Sequence, residues 1–295
     1  MVLPVTPGKM SELSVIGPTI NVAELKQRSR RVRATCVQMA FDGKHGHLGS
    51  ALSCVDVLVA LYGRFLKVST DAPGDIDRDR FILSKGHACA ALYAVLAERG
   101  FIPTSWLANY AKADGPLAVH PCKHALPLLE CSSGSLGHGL GIAAGMLYGH
   151  RLDGRDTRAV VLMSDGECNE GSVWESAMFA AAQRLENLLA IVDYNGIQAV
   201  GRADDIMGHT DLAAKFRAFG WGAMTIDGND MADVLRALEA LPLEPGRPSA
   251  IVARTRKGAG VPFMEDQVLW HYRVPSADDL AAAIQALGET PLHTS

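Results

Sequence analysis

Residues 159–198, AVVLMSDGECNEGSVWESAMFAAAQRLENLLAIVDYNGIQ, contain the pattern that best indicates the fold. The apolar run at 159–163 has the length and the β-branched content of a buried strand. Residues 171–185 then predict an amphipathic helix, and LLAIVDY at 188–194 predicts a second strand. A strand, a helix and a further strand in this order predict two parallel strands joined by a right-handed crossover.

The same alternation of strands and helices extends outward from this unit in both directions. Further strands are predicted at 80–84, 222–226 and 249–255. Further helices are predicted at 22–41, 53–65, 85–100, from 139 onward, and at 211–219, 230–241 and 277–287. Residues 42–50, DGKHGHLGS, are expected to form a loop between the first two helices. The pattern predicts an α/β fold with a mostly parallel sheet and helices on both faces.

The chain has the composition of a single globular α/β unit. Apolar residues make up 48% of its 295 residues, which supports a substantial core. We expect an N-terminal arm at residues 1–20, broken by three prolines, one domain at 21–288 and a polar tail at 289–295.

Charge and cysteine usage narrow the classes of function. The formal net charge is −4 with no long basic run, which argues against a nucleic-acid or membrane partner. No stretch has the length of a membrane span. The six cysteines contain no Cys-x-x-Cys pair, which is typical of reduced thiols, so we expect a cytoplasmic protein that acts on small molecules.

Polar residues follow the two central strands. Asp165 and Gly166 come after the first strand, and Asn195 follows the second. The carboxyl ends of neighbouring parallel strands lie close together, so both side chains can reach one ion. Carboxylate and amide oxygens suit magnesium, which commonly shares its shell with phosphates. Taken alone, Asp165 is equally compatible with a residue that caps the following turn.

The interval from Asp165 to Asn195 resembles the thiamine-diphosphate motif of transketolases. The resemblance implies that the side chains of Asp165 and Asn195 and the carbonyl of Ile197 bind Mg²⁺, or another divalent cation such as Ca²⁺ or Mn²⁺. It also implies that Asn195 and Gly166 contact the cofactor, Gly166 by letting the phosphates approach the main chain. Ser164 departs from the family pattern, which has glycine there.

Five further segments are similar to active-site loops of the same family. They are GHLGSALS, LSKGHACAALYA, AVHPCK, SSGSLGHGLG and KGAGVPFMEDQVLWHYRVPS. The resemblance implies active-site histidines at His47, His87, His120 and His271, and contacts of Gly134 and Leu136 with the cofactor's pyrimidine. Leu48 and Tyr272 replace the proline and the glycine that are more usual in these loops.

The resemblance divides the histidines between cofactor and substrate. His87 and His271 are implied on the diphosphate and thiazolium side, and His47 and His120 on the side of the sugar. Imidazoles suit proton transfer near neutral pH. Glu170 falls where the family has an acid at the subunit contact, and helix capping and a proton relay are equal alternatives for it. The other histidines have no matching motif and are expected to be structural: His45, His124, His138, His150, His209 and His293.

The resemblance implies the N-terminal subunit of a split transketolase. Such a subunit transfers a two-carbon ketol unit from a ketose phosphate to an aldose phosphate with thiamine diphosphate. It needs a separate chain that carries the pyrimidine-binding domain, in an assembly of two copies of each chain. We expect the contact at residues 139–148 and 173–185, whose small residues would let another backbone approach.

Two alternatives stay open from the sequence. One is a pyruvate-using thiamine enzyme, of the deoxyxylulose-phosphate synthase or oxo-acid dehydrogenase type. The other is a non-catalytic scaffold protein with the same fold. The spaced histidines argue against a dehydrogenase subunit, and the retained metal motif argues against a scaffold.

Overall fold

The computed structural model describes residues 20–291. The expected N-terminal arm, apart from residue 20, and the last four residues of the expected tail lie outside this range, as does His293. None of the helices in the described range combines the length and the apolar content that crossing a bilayer requires.

A five-stranded sheet forms the centre of the described structure. Its strands are β1 (Arg80–Leu83), β2 (Ala159–Ser164), β3 (Leu188–Tyr194), β4 (Gly222–Asp227) and β5 (Ser249–Arg254). They lie in the order β1-β2-β3-β5-β4, and every neighbouring pair is parallel. The predicted α/β class is therefore confirmed, and the described sheet is wholly parallel.

Ten α-helices accompany the sheet in the described range. They are α1 (Val22–Asp42), α2 (Leu48–Ser53), α3 (Val55–Ala60), α4 (Cys89–Glu98), α5 (Gly139–Leu152), α6 (Gly171–Ala182), α7 (Ala203–Met207), α8 (Leu212–Ala218), α9 (Met231–Glu239) and α10 (Ala277–Leu287). A π-helical turn, Leu61–Phe65, extends α3. Side-chain caps begin several helices, as at α1, where Asn21 accepts a hydrogen bond from the Glu24 amide.

Two apolar layers cover the two faces of the sheet. Val160 and Leu162 of β2 belong to a core that also includes α1, α3, α4, α9 and α10. Val161 and Met163, which point to the opposite face, belong to a second core with α5, α6 and α8. Burial on both faces explains why the central strands are apolar without alternation.

The prediction for residues 42–50 was wrong in part. Helix α2 begins at Leu48, inside the expected loop, and the expected helix 53–65 is interrupted at Cys54. Leu48 and Leu52 are fully buried, so tertiary packing overrides the glycines that suggested a loop. The expected helix after residue 85 begins only at Cys89, after a 3-10 turn at Gly86–Ala88. The short helix α7 was not predicted.

Candidate active site

Asp165 and Asn195 lie together at the carboxyl ends of β2 and β3. The Oδ1 of Asp165 accepts a hydrogen bond from the Gly166 amide, and its Oδ2 accepts one from the Gly196 amide, each at 2.8 Å. Asp165 is only 6% exposed. Burial, and then the nearby charge of Asp193, raise the pKa of the Asp165 carboxyl. The predicted convergence of the two strand ends is therefore present, and its carboxylate lies where a cation would stabilise it.

A buried carboxylate orients the amide of Asn195. Its Nδ2 donates to Asp193 Oδ2 at 3.2 Å, and its Oδ1 accepts from the Ile197 amide at 3.1 Å. Asp193 is fully buried and also accepts hydrogen bonds from Lys85, Ser53 and Thr255. This network holds the oxygen of Asn195 away from Asp193.

Lys257 joins the predicted metal-binding loop to the histidines. Its Nζ donates to the Ile197 carbonyl at 3.1 Å and lies 2.8 Å from Nδ1 of His271. Burial, followed by repulsion from Lys85, lowers the pKa of Lys257 to about 8. A fully buried ammonium beside a carbonyl and an imidazole is well suited to an anion such as a diphosphate.

The two buried lysines were not among the residues predicted from the sequence. Lys85 stands two residues after β1 ends, and Lys257 stands three residues after β5 ends. Each is followed by a glycine. Asp165 and Asn195 were selected because polar residues just after parallel strands are candidates for a binding site, and the same criterion applies to these two lysines.

Four predicted histidines form one cluster. The ring centroid of His47 lies 5.1 Å from that of His271, 5.5 Å from that of His87 and 6.2 Å from that of His120. Burial lowers the pKa of all four. Burial, with nearby positive charge, brings the pKa of His47 to about 4 and that of His271 to about 3. All four rings are therefore neutral near pH 7.

His45 belongs to the same cluster, although a structural role was expected for it from the sequence. Its Nε2 lies 3.3 Å from Nδ1 of His47, within hydrogen-bond distance. Of the others without a motif, His124, His138 and His209 are exposed and lie outside the cluster. His150 lies 2.6 Å from the Thr157 hydroxyl, a contact away from the cluster.

The loop that carries Gly134 and Leu136 packs against two of the histidine loops. Gly134 has a φ of 152°, and a Cβ there would lie 3.2 Å from the ring of His120. A Cβ on Gly86 would lie 2.9 Å from the Gly134 nitrogen. Glycine is therefore required where these backbones meet. Leu136 is half-buried beside them.

Glu167, a further residue that was not predicted, ties this loop to the strand ends. Its buried carboxylate accepts hydrogen bonds from the Ser84 hydroxyl and from the amides of Gly137 and Ser164. The hydroxyl of Ser164 accepts in return from the Glu167 amide at 3.2 Å. Ser164, which departs from the family's glycine, is thus accommodated by the turn. A carboxylate directly after Asp-Gly was a visible signal for Glu167.

Glu170 lies apart from these contacts. It is exposed at the N-cap position of α6, and its side chain makes no capping hydrogen bond. Its Cβ lies against Gly137, where an added Cβ would approach to 2.8 Å. Capping by the side chain, one of the two alternatives, is therefore not observed.

The predicted metal ligands include a single acidic side chain, that of Asp165. In residues 20–291 no three His, Cys, Asp or Glu side chains are grouped as metal ligands. A carboxylate, an amide oxygen and a backbone carbonyl are nevertheless hard oxygen donors of the kind that magnesium takes together with phosphate.

Comparisons with known proteins agree on one family. Residues 25–294 match the family model described as "Transketolase, thiamine diphosphate binding domain". One of the two chains of the apulose-4-phosphate transketolase of Phocaeicola vulgatus is 35% identical over 92% of this chain and 96% of its own. Its counterpart of the same description from Actinobacillus succinogenes is 39% identical over 90% of this chain and 96% of its own.

A solved structure gives the same result at the level of the fold. The transketolase of Campylobacter jejuni superimposes with a TM-score of 0.86 at 26% sequence identity. The match covers 93% of this chain but only 44% of that one. The chain therefore spans less than half the length of the solved transketolase, and nearly the whole length of the two apulose-4-phosphate transketolase chains.

Proposed function

The chain belongs to the transketolase family, within its thiamine diphosphate binding domain, and we propose that it is the diphosphate-binding subunit of a two-chain ketol-transfer enzyme. The reaction moves a two-carbon ketol unit from a ketose phosphate to an aldose phosphate. One observation carries the proposal. Hard oxygen donors, a buried lysine and a cluster of neutral histidines meet at the carboxyl ends of adjacent parallel strands.

The residues at the strand ends fit a metal-bound diphosphate. Asp165, the Asn195 oxygen and the Ile197 carbonyl are the donors for Mg²⁺, or for Ca²⁺ or Mn²⁺ in its place. Lys257 and the backbone at Gly166 are suited to the phosphate oxygens. An added Cβ at Gly166 would meet only the side chain of Gln198, so the main chain is open on this side. When bound, thiamine diphosphate supplies a carbon that can hold the ketol unit between donor and acceptor.

The histidines supply positions for hydrogen bonds and protons. His271 is held by Lys257 through Nδ1, so its Nε2 is the ring nitrogen left for a ligand. We assign His87 and His271 to the cofactor side. We assign His47 and His120 to the substrate, where neutral imidazoles accept or donate protons at the sugar hydroxyls and carbonyl.

The partner is proposed to be a separate chain with a pyrimidine-binding domain, in an assembly with two copies of each chain. Exposed apolar side chains support such a contact, because a protein without a partner seldom leaves many together. Leu269 and Tyr272, beside the histidine cluster, are 59% and 62% exposed. On α6, Met178 is 52% exposed, next to the partly exposed Phe179.

The expected contact helices need one correction. Ala143 and Ala144 of α5, and Ala177 and Ala180 of α6, were expected to let a partner backbone approach. All four are instead buried in this chain's own core. An added Cβ on Gly145 would meet no atom within 4 Å, so the open surface of α5 lies at its glycines. The proposal keeps these two helices as the contact and moves it to their outer side.

The remaining parts of the proposal concern assembly and location. We propose self-association through a two-fold axis, cytoplasmic location, sugar phosphate substrates, and a role for Glu170 at the subunit contact rather than as a cap. Gly134 and Leu136 are proposed to contact the cofactor's pyrimidine ring, since their loop packs against His120.

Reconstitution tests the proposal. The chain is purified alone and assayed for ketol transfer with thiamine diphosphate and Mg²⁺, and then with the candidate pyrimidine-domain chain. Turnover only in the mixture, with co-elution at a mass of two copies of each chain, supports the proposal. Robust turnover by the single chain contradicts the split assembly. Pyruvate decarboxylation without ketol transfer would instead favour the pyruvate-using alternative.

A further inference from the structure

The loop between α1 and α2 holds two histidines in a constrained conformation. Lys44 and His47 have φ values of 50° and 63°, in the left-handed region that residues with a Cβ rarely adopt. The His45 amide donates to the Ala40 carbonyl at 3.1 Å, and the His47 amide donates to the His271 carbonyl at 2.8 Å. Such strained positions persist where the surroundings fix them, often at functional sites.

The glycine between the two histidines fixes the loop against the segment of His271. A Cβ on Gly46 would lie 2.5 Å from the Tyr272 carbonyl oxygen, so no other residue fits without movement. The His45 ring also meets Tyr110 edge-on, with centroids 6.1 Å apart. The backbone and the ring of His45 are therefore both held in place beside His47.

The contact between the two rings joins specific nitrogens. Nε2 of His45 lies 3.3 Å from Nδ1 of His47. Burial lowers the pKa of both imidazoles, so near pH 7 both are neutral. Between two neutral rings, one nitrogen must carry the proton and the other must accept it.

We propose that His45 is a positioning residue for His47: Nε2 of His45 accepts a hydrogen bond from Nδ1–H of His47 and thereby fixes the tautomer and the orientation of that ring. Nε2 of His47 is then unprotonated and is the nitrogen available to a ligand. The partner of one imidazole nitrogen sets the state of the other, which is how orienting residues act on histidine in other sites.

This inference rests on the proposed ketol transfer only for its consequence in turnover. Breaking the bond beside a hydroxyl-bearing carbon releases an aldehyde, which requires an acceptor for the hydroxyl proton. An unprotonated Nε2 on His47 is such an acceptor. A His47 that lost His45 would divide between two tautomers and several ring orientations.

The tautomer can be measured in the chain alone, without cofactor or partner. Long-range ¹H–¹⁵N spectra of histidine-labelled protein at pH 7.5 should show His47 protonated at Nδ1. The His45→Phe variant should lose this state in favour of Nε2–H, which free histidine prefers. The proposal is overturned if His47 carries its proton on Nε2 in the parent chain, or if the variant leaves its tautomer unchanged.

The kinetic consequence separates a positioning role from a structural one. In the reconstituted enzyme, His45→Phe should lower kcat by about 10- to 100-fold, as for other residues that orient an active-site ligand. Its apparent affinity for thiamine diphosphate should stay within about threefold of the parent value, because His45 does not touch the diphosphate side. His45→Gln, whose side-chain oxygen can accept from His47, should recover most of kcat.

A matched control and the two readouts keep the outcomes distinct. His124→Phe makes the same change at an exposed position outside the cluster and should leave both kcat and affinity unchanged. Equal losses in His45→Phe and His45→Gln would overturn the positioning role. If the parent enzyme shows no ketol transfer, the proposed function fails, while the tautomer measurement still decides the inference about His45.

Discussion

Two Asp-Gly steps occupy the same edge of the same sheet and do different things. Asp165-Gly166 follows β2, in the interior of the sheet, and Asp227-Gly228 ends β4, at the sheet's margin. The first aspartate is buried and the second is exposed. The dipeptide is the same, so its surroundings must account for the difference.

The partners of the second step are those of an ordinary turn. The Asp227 carboxylate accepts from the Asn229 amide at 2.9 Å, and the Asp227 amide donates to Asp233 at the start of α9. The Asn229 side chain donates to Asp56 and the Ser53 carbonyl. These contacts satisfy the turn from within. At Asp165, by contrast, a buried asparagine, a buried lysine and the histidine cluster converge from the other strand ends. The neighbours of the strand end, rather than the Asp-Gly pair, therefore define the site.

The largest expected effect comes from replacing the two aspartates in turn. Asp165→Ala should lower ketol transfer in the reconstituted enzyme by about a thousandfold or more, because a metal's charge stabilisation is worth several kcal/mol. Asp227→Ala should stay within about twofold, as is usual for surface substitutions. Steady-state rates with saturating cofactor provide the measurement. Comparable losses in both variants would remove the distinction between the two strand ends.

Replacing Lys257 tests whether the buried lysine belongs to the site. Lys257→Met should weaken thiamine diphosphate binding by about 100-fold, because a desolvated charge-assisted contact is worth a few kcal/mol. The neighbouring Arg256, exposed and paired with Glu265, provides the matched control as Arg256→Met. Binding can be followed by isothermal titration in the reconstituted enzyme. An unchanged affinity in Lys257→Met would exclude the lysine from the diphosphate site.

The glycines of the two steps should differ in the opposite direction, in stability. A Cβ on Gly228 would lie 2.6 Å from the Thr255 side chain and 2.8 Å from the Ala253 Cβ, both in the packed end of β5. Gly228→Ala should therefore destabilise the chain by about 1–3 kcal/mol through overpacking. Gly166→Ala, which meets only a side chain of Gln198, should cost less than about 1 kcal/mol in stability. Denaturant unfolding of the chain alone compares them, and a larger loss for Gly166→Ala would contradict the geometry.

Acid should destabilise the end of the sheet that carries the histidines. The folded state lowers the pKa of His47 to about 4 and of His271 to about 3, against about 6.5 unfolded. The unfolded chain therefore binds more protons between these values, so stability falls as the pH drops below about 6.5.

His87→Leu should reduce this acid sensitivity in the chain alone, because burial also lowers the pKa of His87. The fall in Tm between pH 7 and pH 5 should shrink by about 2–4 °C. The loops at the end of β4 carry no histidine, so Asp227→Ala should leave the fall unchanged. A pH dependence that both variants share with the parent chain would place the titrating groups elsewhere.

The sheet could be predicted well from the sequence because its strands are buried on both faces. Runs such as 159–163 and 188–194 have no other arrangement in which they bury fully. The histidines and Asp165 could be predicted through family resemblance, together with their location after strands. Lys85 and Lys257 could not, since a lysine is ordinarily a surface residue and only the fold brings them to Asp193 and His271.

Two other features were not predicted, for local physical reasons. Helix α2 was hidden because its glycines and histidine suggest a loop, and burial of Leu48 overrides that preference. The contact of His45 with His47 depends on left-handed backbone at Lys44 and His47, which no periodicity in the sequence reveals.

Metal binding at Asp165 can be measured with Mn²⁺, a paramagnetic substitute for Mg²⁺, in the reconstituted enzyme with thiamine diphosphate. Electron paramagnetic resonance titrations compare the parent protein with the Asp165→Ala and Asp227→Ala variants. We expect one cofactor-dependent Mn²⁺ site per chain in the parent protein, retained in Asp227→Ala and lost in Asp165→Ala. Undiminished Mn²⁺ binding in Asp165→Ala, or its loss in Asp227→Ala, would show that the metal site lies elsewhere.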